Sequence, residues 1–287
     1  GIMNLHLSTD SISTDSIPVN TINISYEESS EAMEIKLHFH SNYQIIYICE
    51  GSAEFTVNKK TCRVDSDSII FVSHLESHEL KILQYPYRRY LIHIKPDYLS
   101  SVVNEPQLAS IFKNRPESFE HAINLNKNES SKIRYIINKM YEEWTNPSDF
   151  SIDAIGSYMQ LMLISLYRNN RECFPLTGLN RSFNLVMQVQ KYIEEHILEP
   201  ITLKEVSKLF YTNMYYLSHL FKEISGFTFK EYIILQRISK AKDLLVHSNQ
   251  SVTDVAMNSG FGNVSHFIRI FKNHEGMTPL QYRKNYS

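Results

Sequence analysis

Leu217-Ser218-His219-Leu220-Phe221-Lys222-Glu223-Ile224-Ser225-Gly226 returns fifty residues on as Phe267-Ile268-Arg269-Ile270-Phe271-Lys272-Asn273-His274-Glu275-Gly276. Both stretches space their apolar residues at helical intervals and stop on glycine, which readily takes the left-handed backbone that ends a helix. Each follows a short helical pattern and a turn: Leu203-Lys204-Glu205-Val206-Ser207 before the first, Val252-Thr253-Asp254-Val255-Ala256 before the second. Residues 229–247 between them read as one long helix. The chain thus carries two helix-turn-helix units on a shared connector. In such a unit the second helix enters the DNA major groove while the first braces the backbone.

Outward from this pair, the whole of 182–287 reads as helix, over 183–197, 203–210, 214–225, 229–247, 252–259, 264–274 and 280–283. Thr202, Asn213, Thr228, Ser251 and Asn263 stand at N-cap positions, and Gly226, Gly260 and Gly276 stand where helices stop. Residues 181–287 hold 13 Lys and Arg against 9 Asp and Glu, whereas 1–180 hold 16 against 22, so a near-neutral chain hides a basic C-terminal third. That sign suits a nucleic-acid partner, although a solvated surface explains so modest an excess equally well.

The landmarks Leu217-Ser218-x-Leu220-Phe221-Lys222, Arg237-x3-Ala241-x2-Leu244-Leu245, Val255-Ala256-x3-Gly260-Phe261 and Phe271-Lys272-x3-Gly276-x-Thr278-Pro279-x2-Tyr282-Arg283 resemble the AraC/XylS family of transcription regulators over about a hundred C-terminal residues. The resemblance implies that Tyr215, Ser218, His219 and Lys222 of the first unit, and Ser265, His266 and Arg269 of the second, face bases. Arg269 can grip guanine with two hydrogen bonds, and Lys272 suits a phosphate. Many family members carry Arg at the His219 position, so the first unit is expected to read differently or bind more weakly. Thr202, Asn213 and Asn263 open helices, where amides and the positive dipole end favour phosphate. Phe221, Phe261, Phe271, Leu244 and Leu245 have core spacing, and Arg237 can bridge helices instead of touching DNA. Ser207 departs from Ala256, its small counterpart.

Residues 35–94 alternate short β-rich runs (43–49, 53–57, 61–64, 68–72, 90–94) with polar turns at Glu50-Gly51, Asn58-Lys59-Lys60 and Asp65-Ser66-Asp67. Here His38-Phe39-His40, then Gln44 and Gly51, resembles the first cupin motif, in which His-x-His and a carboxylate bind metal inside a β-barrel. Gln44 replaces the carboxylate, Ser66 and Ser73 replace the expected Gly and Pro, and His78 closes a loop one residue too long. His38, His40, Gln44, Ile46 and His78 are therefore expected to touch a small-molecule effector or brace strands, with no metal, cofactor or catalytic residue. A metal-dependent cupin enzyme fused to a DNA-binding module is the competing reading, and a ligand-free regulator controlled by a protein partner is the third.

The expected fold class is α+β: a mobile arm at 1–30 containing the repeat Ser8-Thr9-Asp10-Ser11-Ile12 and Ser13-Thr14-Asp15-Ser16-Ile17, a cupin-like ligand-sensing barrel at 31–95, a helical dimerisation region at 96–173, a linker at 174–181 and the double helix-turn-helix domain at 182–287. Ile133, Ile136, Ile137 and Met140 form one apolar stripe of the pair; Ile152, Ile155, Met159, Met162, Leu163 and Leu166 form the other. Either stripe can cover the barrel or mediate a homodimer. Cys49, Cys62 and Cys173 make no paired motif, which argues against zinc modules and disulfide scaffolds and for a reducing cytoplasm. No apolar run reaches the roughly 18 residues of a membrane span, and Gly1-Ile2-Met3 lacks a secretory h-region. Taken together, these features predict a cytoplasmic, sequence-specific regulator of promoter DNA, an activator working with RNA polymerase.

Overall fold

The computed structural model describes residues 21–29, 34–39, 42–175 and 181–287, with backbone alone over 34–39. Among the described residues, seven antiparallel strands form one sheet folded on itself: β1 Ile22–Ser29, β2 Glu34–Phe39, β3 Tyr43–Val57, β4 Lys60–Asp65, β5 Ser68–Val72, β6 Ser77–Ile94 and β7 Ala122–Asn124. The first half of β3 pairs with β5 and with the end of β6; its second half pairs with β4 and with the start of β6. β6 carries β2 on its first half and β1 on its second. Both long strands therefore run through both layers and bend where the β3–β6 register slips, between Ile48 and Ala53. Gly51 sits at this corner with φ +86, and a Cβ there would lie 2.6 Å from the Gln84 carbonyl oxygen and 2.7 Å from that of Pro86. Only glycine admits that approach.

Side chains alternate across a strand, and here both faces are covered. Ile46, Ile48, Phe55, Val57, Val64, Ile70, Val72, Leu80, Ile82 and Leu91 fill the barrel. Ile45, Tyr47, Ile69, Phe71 and Ile92 point outward, onto helices α1 Pro96–Val102, α2 Pro106–Lys113, α3 Lys127–Thr145 and α4 Ser151–Asn169. Both sequence stripes of the helical pair lie on this outer core. Ile133, Ile137 and Met140 of α3 and Ile155, Met159, Met162 and Leu163 of α4 are buried within the chain itself.

Several boundaries need correction. Ile22–Ser29 of the expected arm is a strand, because Ile22 and Ile24 bury against the sheet while Glu27 pairs with Arg89 at 2.7 Å; the Ser-Thr-Asp repeat lies outside the described residues. The runs 43–49 and 53–57 are one strand, with Glu50-Gly51 a corner instead of a turn. β6 begins at Ser77, well ahead of the expected 90. β7 extends the sheet beyond residue 95. Phe174, assigned to the linker, is buried in the outer core.

The remaining helices are α5 Arg181–Glu195, α6 Leu203–Leu209, α7 Met214–Ser225, α8 Phe229–His247, α9 Val252–Asn258, α10 Val264–Glu275 and α11 Pro279–Tyr286. They build two apolar cores that share α8. Val186, Val189, Ile193, Val206, Leu217, Phe221 and Tyr232 make the first; Ile238, Leu245, Val255, Ala256, Phe267, Phe271 and Tyr282 make the second. Each unit is also braced by an arginine. Arg237 donates to the carbonyls of Ile197 (3.0 Å) and Glu199 (2.7 Å), and Arg283 donates to those of Leu245 (3.0 Å) and Gln250 (2.6 Å). Satisfying these carbonyls locks the chain leading into each short first helix.

Candidate functional site

The two second helices, α7 and α10, have matching ends. Asn213 Oδ1 accepts from the amides of Tyr215 (2.9 Å) and Tyr216 (3.1 Å), and Asn263 Oδ1 accepts from that of His266 (2.8 Å). Gly226 and Gly276 end them with φ +83 and +72. Within each, one face is core: Leu217, Leu220 and Phe221 in α7, Phe267 and Phe271 in α10. The opposite face is open. Tyr215, Ser218, His219 and Lys222 are all exposed on α7, as are Ser265, His266, Arg269 and Lys272 on α10. No acidic residue occupies the first turn of either helix. A row of donors on an exposed helix face, beginning at a positive helix end, is what groove reading and phosphate contact require.

Thr202 is different. Its hydroxyl accepts from the Glu205 amide at 3.2 Å and donates to the Glu205 carboxylate at 2.8 Å. That carboxylate puts negative charge where phosphate would dock, which favours Asn213 and Asn263 over Thr202. His219 lies 3.8 Å from Glu223 on the exposed face. Buried Ser207 satisfies its hydroxyl on the Lys204 carbonyl at 2.9 Å, so its departure from alanine leaves no orphan group. Sequence reasoning passed over Tyr211, which is almost fully exposed in the first unit's turn with φ +51, a left-handed conformation the second unit's turn gives to Gly260 at φ +94. The signal was available: an aromatic residue in the turn, two places before the N-cap asparagine.

In the barrel, Gln44 and Ile46 lie on the inward face of β3, both fully buried. Gln44 Nε2 lies 3.4 Å from Nδ1 of His93, its cross-strand neighbour. His93 shares the inward parity of Leu91, and that parity could have found it. His78 is buried, stacks on Phe55 at 5.3 Å, and pairs by backbone with His38. Gln44, His93 and His78 all lie at the strand ends remote from the Gly51 corner through which β3 and β6 pass. His40 lies outside the described residues. Among the described residues no three His, Cys, Asp or Glu groups converge as a metal cluster, and no helix is long and apolar enough to cross a membrane.

Residues 206–285 match the model of a helix-turn-helix domain, and residues 26–125 match that of the AraC-like ligand binding domain, together more than half of the chain. The chain belongs to the AraC-type transcription regulators. The HTH-type transcriptional activator RhaS of Klebsiella pneumoniae is 22% identical over 272 residues, 95% of this chain and 96% of that protein. Regulatory protein PocR of Salmonella typhimurium is 35% identical over 94 residues, 33% of this chain and 31% of its own length. Unsaturated fatty acid bound ToxT from Vibrio cholerae shares the fold, with a TM-score of 0.57 at 16% identity, covering 93% of this chain and 95% of that one. The AraC-type assignment gives residues 206–285 as a helix-turn-helix domain and residues 26–125, which include the barrel, as a ligand-binding domain.

Proposed function

We propose that this AraC-type protein is a cytoplasmic, sequence-specific activator that binds promoter DNA as a homodimer, takes a small organic effector in its barrel and acts on RNA polymerase. The observation that carries the reading is the pair of capped helices α7 and α10, each with a buried face and an exposed donor-rich face, held by one connector. α8 has 19 residues, about 28 Å at 1.5 Å per residue, which brings two successive major grooves about 34 Å apart within reach. Asn213, Tyr215, Ser218, His219 and Lys222 serve the first groove; Asn263, Ser265, His266, Arg269 and Lys272 serve the second. An activator role is supported by the RhaS likeness, and a small-molecule effector by the ToxT likeness. Gln44, Ile46 and His78 line the effector's space, and the engagement of Gln44 with His93 supports a sensor instead of a metal enzyme.

Arg269→Ala should lose about 1–3 kcal/mol on the proper site and relax preference at one base pair. Lys272→Ala should weaken all duplexes alike and lower the salt slope by about one. Titration against cognate and scrambled duplexes at several salt concentrations decides this. Equal weakening of both duplexes by Arg269→Ala would remove it as a base reader, and failure of the wild type to prefer any duplex would remove the function.

Dimerisation needs a face the chain does not itself bury. On α4 that face carries exposed Leu161, with half-buried Tyr158 and Ile164 one turn to either side. Leu161→Glu should leave the fold intact and yield monomer in analytical ultracentrifugation, since an exposed substitution changes stability by only about 0.5 kcal/mol. An unchanged dimer would put the interface elsewhere.

A further inference from the structure

The two DNA-reading units repeat one another, yet the sensor holds them unequally. Leu75, from the loop between β5 and β6, is buried in the apolar core of the first unit, with Val186, Val189, Leu217 and Phe221. The apolar core of the second unit takes no sensor residue among the described ones. Beside Leu75, His74 Nε2 lies 3.0 Å from Gln236 Oε1 on α8, and the His74 ring packs edge-on against Tyr43 at 4.6 Å. The Arg115 amide donates to the Ser225 carbonyl at the end of α7 (3.1 Å), Asn114 accepts from Gln190 on α5 (3.0 Å), and Lys113 pairs with Glu194 on α5 at 3.2 Å. The glycines that end α7 and α10 show the difference most simply. A Cβ on Gly226 would lie 2.2 Å from the Arg115 carbonyl oxygen, whereas one on Gly276 would meet nothing within 4 Å. Toward the second unit a direct link among the described residues is Lys95 to Asp243 on α8, at 2.7 Å.

The loop that makes the central contact is stiff, and it starts and ends in the barrel wall. Val72, just before it, belongs to the barrel interior, and His78, just after it, stacks on Phe55. Between them the Ser73 amide donates to Glu76 Oε1 (2.9 Å), the Glu76 amide donates to the Ser73 carbonyl (3.1 Å) and the Leu75 amide donates to Ser73 Oγ (3.2 Å). Buried Glu76 is fastened to Arg115 at 2.8 Å and to His121 at 2.7 Å. A turn tied at this many points moves as a body instead of absorbing displacement.

We infer that the β5–β6 loop is a lever carrying the state of the barrel to the first DNA-reading unit, and that the second unit reads DNA without regard to the sensor. The inference rests on the effector-responsive, DNA-binding reading above and names how its barrel is regulated. A molecule seated near His78 and Val72 shifts the loop, Leu75 shifts with it, and the placement of α7 changes. Only an occupant with different affinity for the two placements can do this.

The test uses the full chain, with His78→Ala as the perturbation of the barrel wall. Binding is measured to the cognate duplex and to two duplexes in which one or the other half-site is scrambled. His78→Ala should change affinity at least fivefold on one half-site duplex and leave the other within twofold. Combining it with Leu75→Met, which keeps the volume but reshapes the contact, should shrink that change below twofold, as a double-mutant cycle requires. Gly226→Ala gives a second route. Hydrogen exchange should rise through α5 to α7 and spare α9 to α11, while Gly276→Ala, with the same backbone strain, should leave α5 to α7 unchanged. Equal effects of His78→Ala on both half-sites, no effect on either, or a full effect surviving Leu75→Met would each overturn the lever. Wild-type binding to the intact duplex reports separately on the proposed function.

Discussion

A glutamate placed at Met159 or Leu163 should unfold the sensor domain, whatever the protein's oligomeric state. Both side chains are fully buried among Ile133, Ile137, Met140 and the outward face of the sheet. Replacing either removes packing worth about 2–5 kcal/mol and adds an unpaired carboxylate to an apolar site, at several kcal/mol more. That total rivals the stability of an ordinary domain, about 5–15 kcal/mol. Circular dichroism of the full chain should show loss of the sheet signal with the α5–α11 helices retained. A folded monomer from Met159→Glu would mean that the stripe is an interface after all.

Glu76→Gln should be nearly as damaging, with a telling dependence on pH. The substitution keeps the shape but leaves the Arg115 guanidinium buried without its counter-charge, a loss of about 3–5 kcal/mol. Burial alone would push the Glu76 carboxyl upward, but the Arg115 charge and the His121 hydrogen bond outweigh it and hold the pKa at about 2. An unfolded glutamate titrates near 4.3. A carboxylate with a depressed folded pKa stabilises fully above its unfolded pKa, and that contribution drains away as pH falls through the window toward the folded value. The wild type should therefore lose thermal stability between about pH 4.5 and 2, and the gap to Glu76→Gln, widest near neutrality, should narrow over the same range. Parallel curves would show that the ion pair contributes nothing to the linkage.

The helical half was legible because its signals are local. Thr202, Asn213, Thr228, Ser251 and Asn263 each cap an amide two or three residues ahead, and a cap is written within one turn of the helix it starts. The exposed faces of α7 and α10 follow from 3.6-residue spacing alone. The barrel was only partly legible. Period-two alternation puts Gln44 and Ile46 on one face, but nothing nearby reveals the strand that holds His78, or that Glu50-Gly51 is a corner, since its shape is set by Gln84 and Pro86 more than thirty residues on. β1 was hidden because two buried isoleucines amid Ser and Glu make a weak pattern until β6 covers them. The contacts of Leu75 and Arg115 lie further out of reach, because their partners are more than a hundred residues away and a lone leucine in a polar loop carries no period.

The continuity of β3 and β6 through both layers bears on how anything could enter the barrel. In a sandwich of two independent sheets, one layer can peel away and reclose. Here the layers are joined through β3 and β6 themselves, so parting them means unbending both strands at the Gly51 corner together, and the amides of these two strands should share one opening free energy, that of the whole sensor domain. Exchange of a bound molecule on any faster timescale has to use the end remote from Gly51, by motion of the loops there, with the strands still paired.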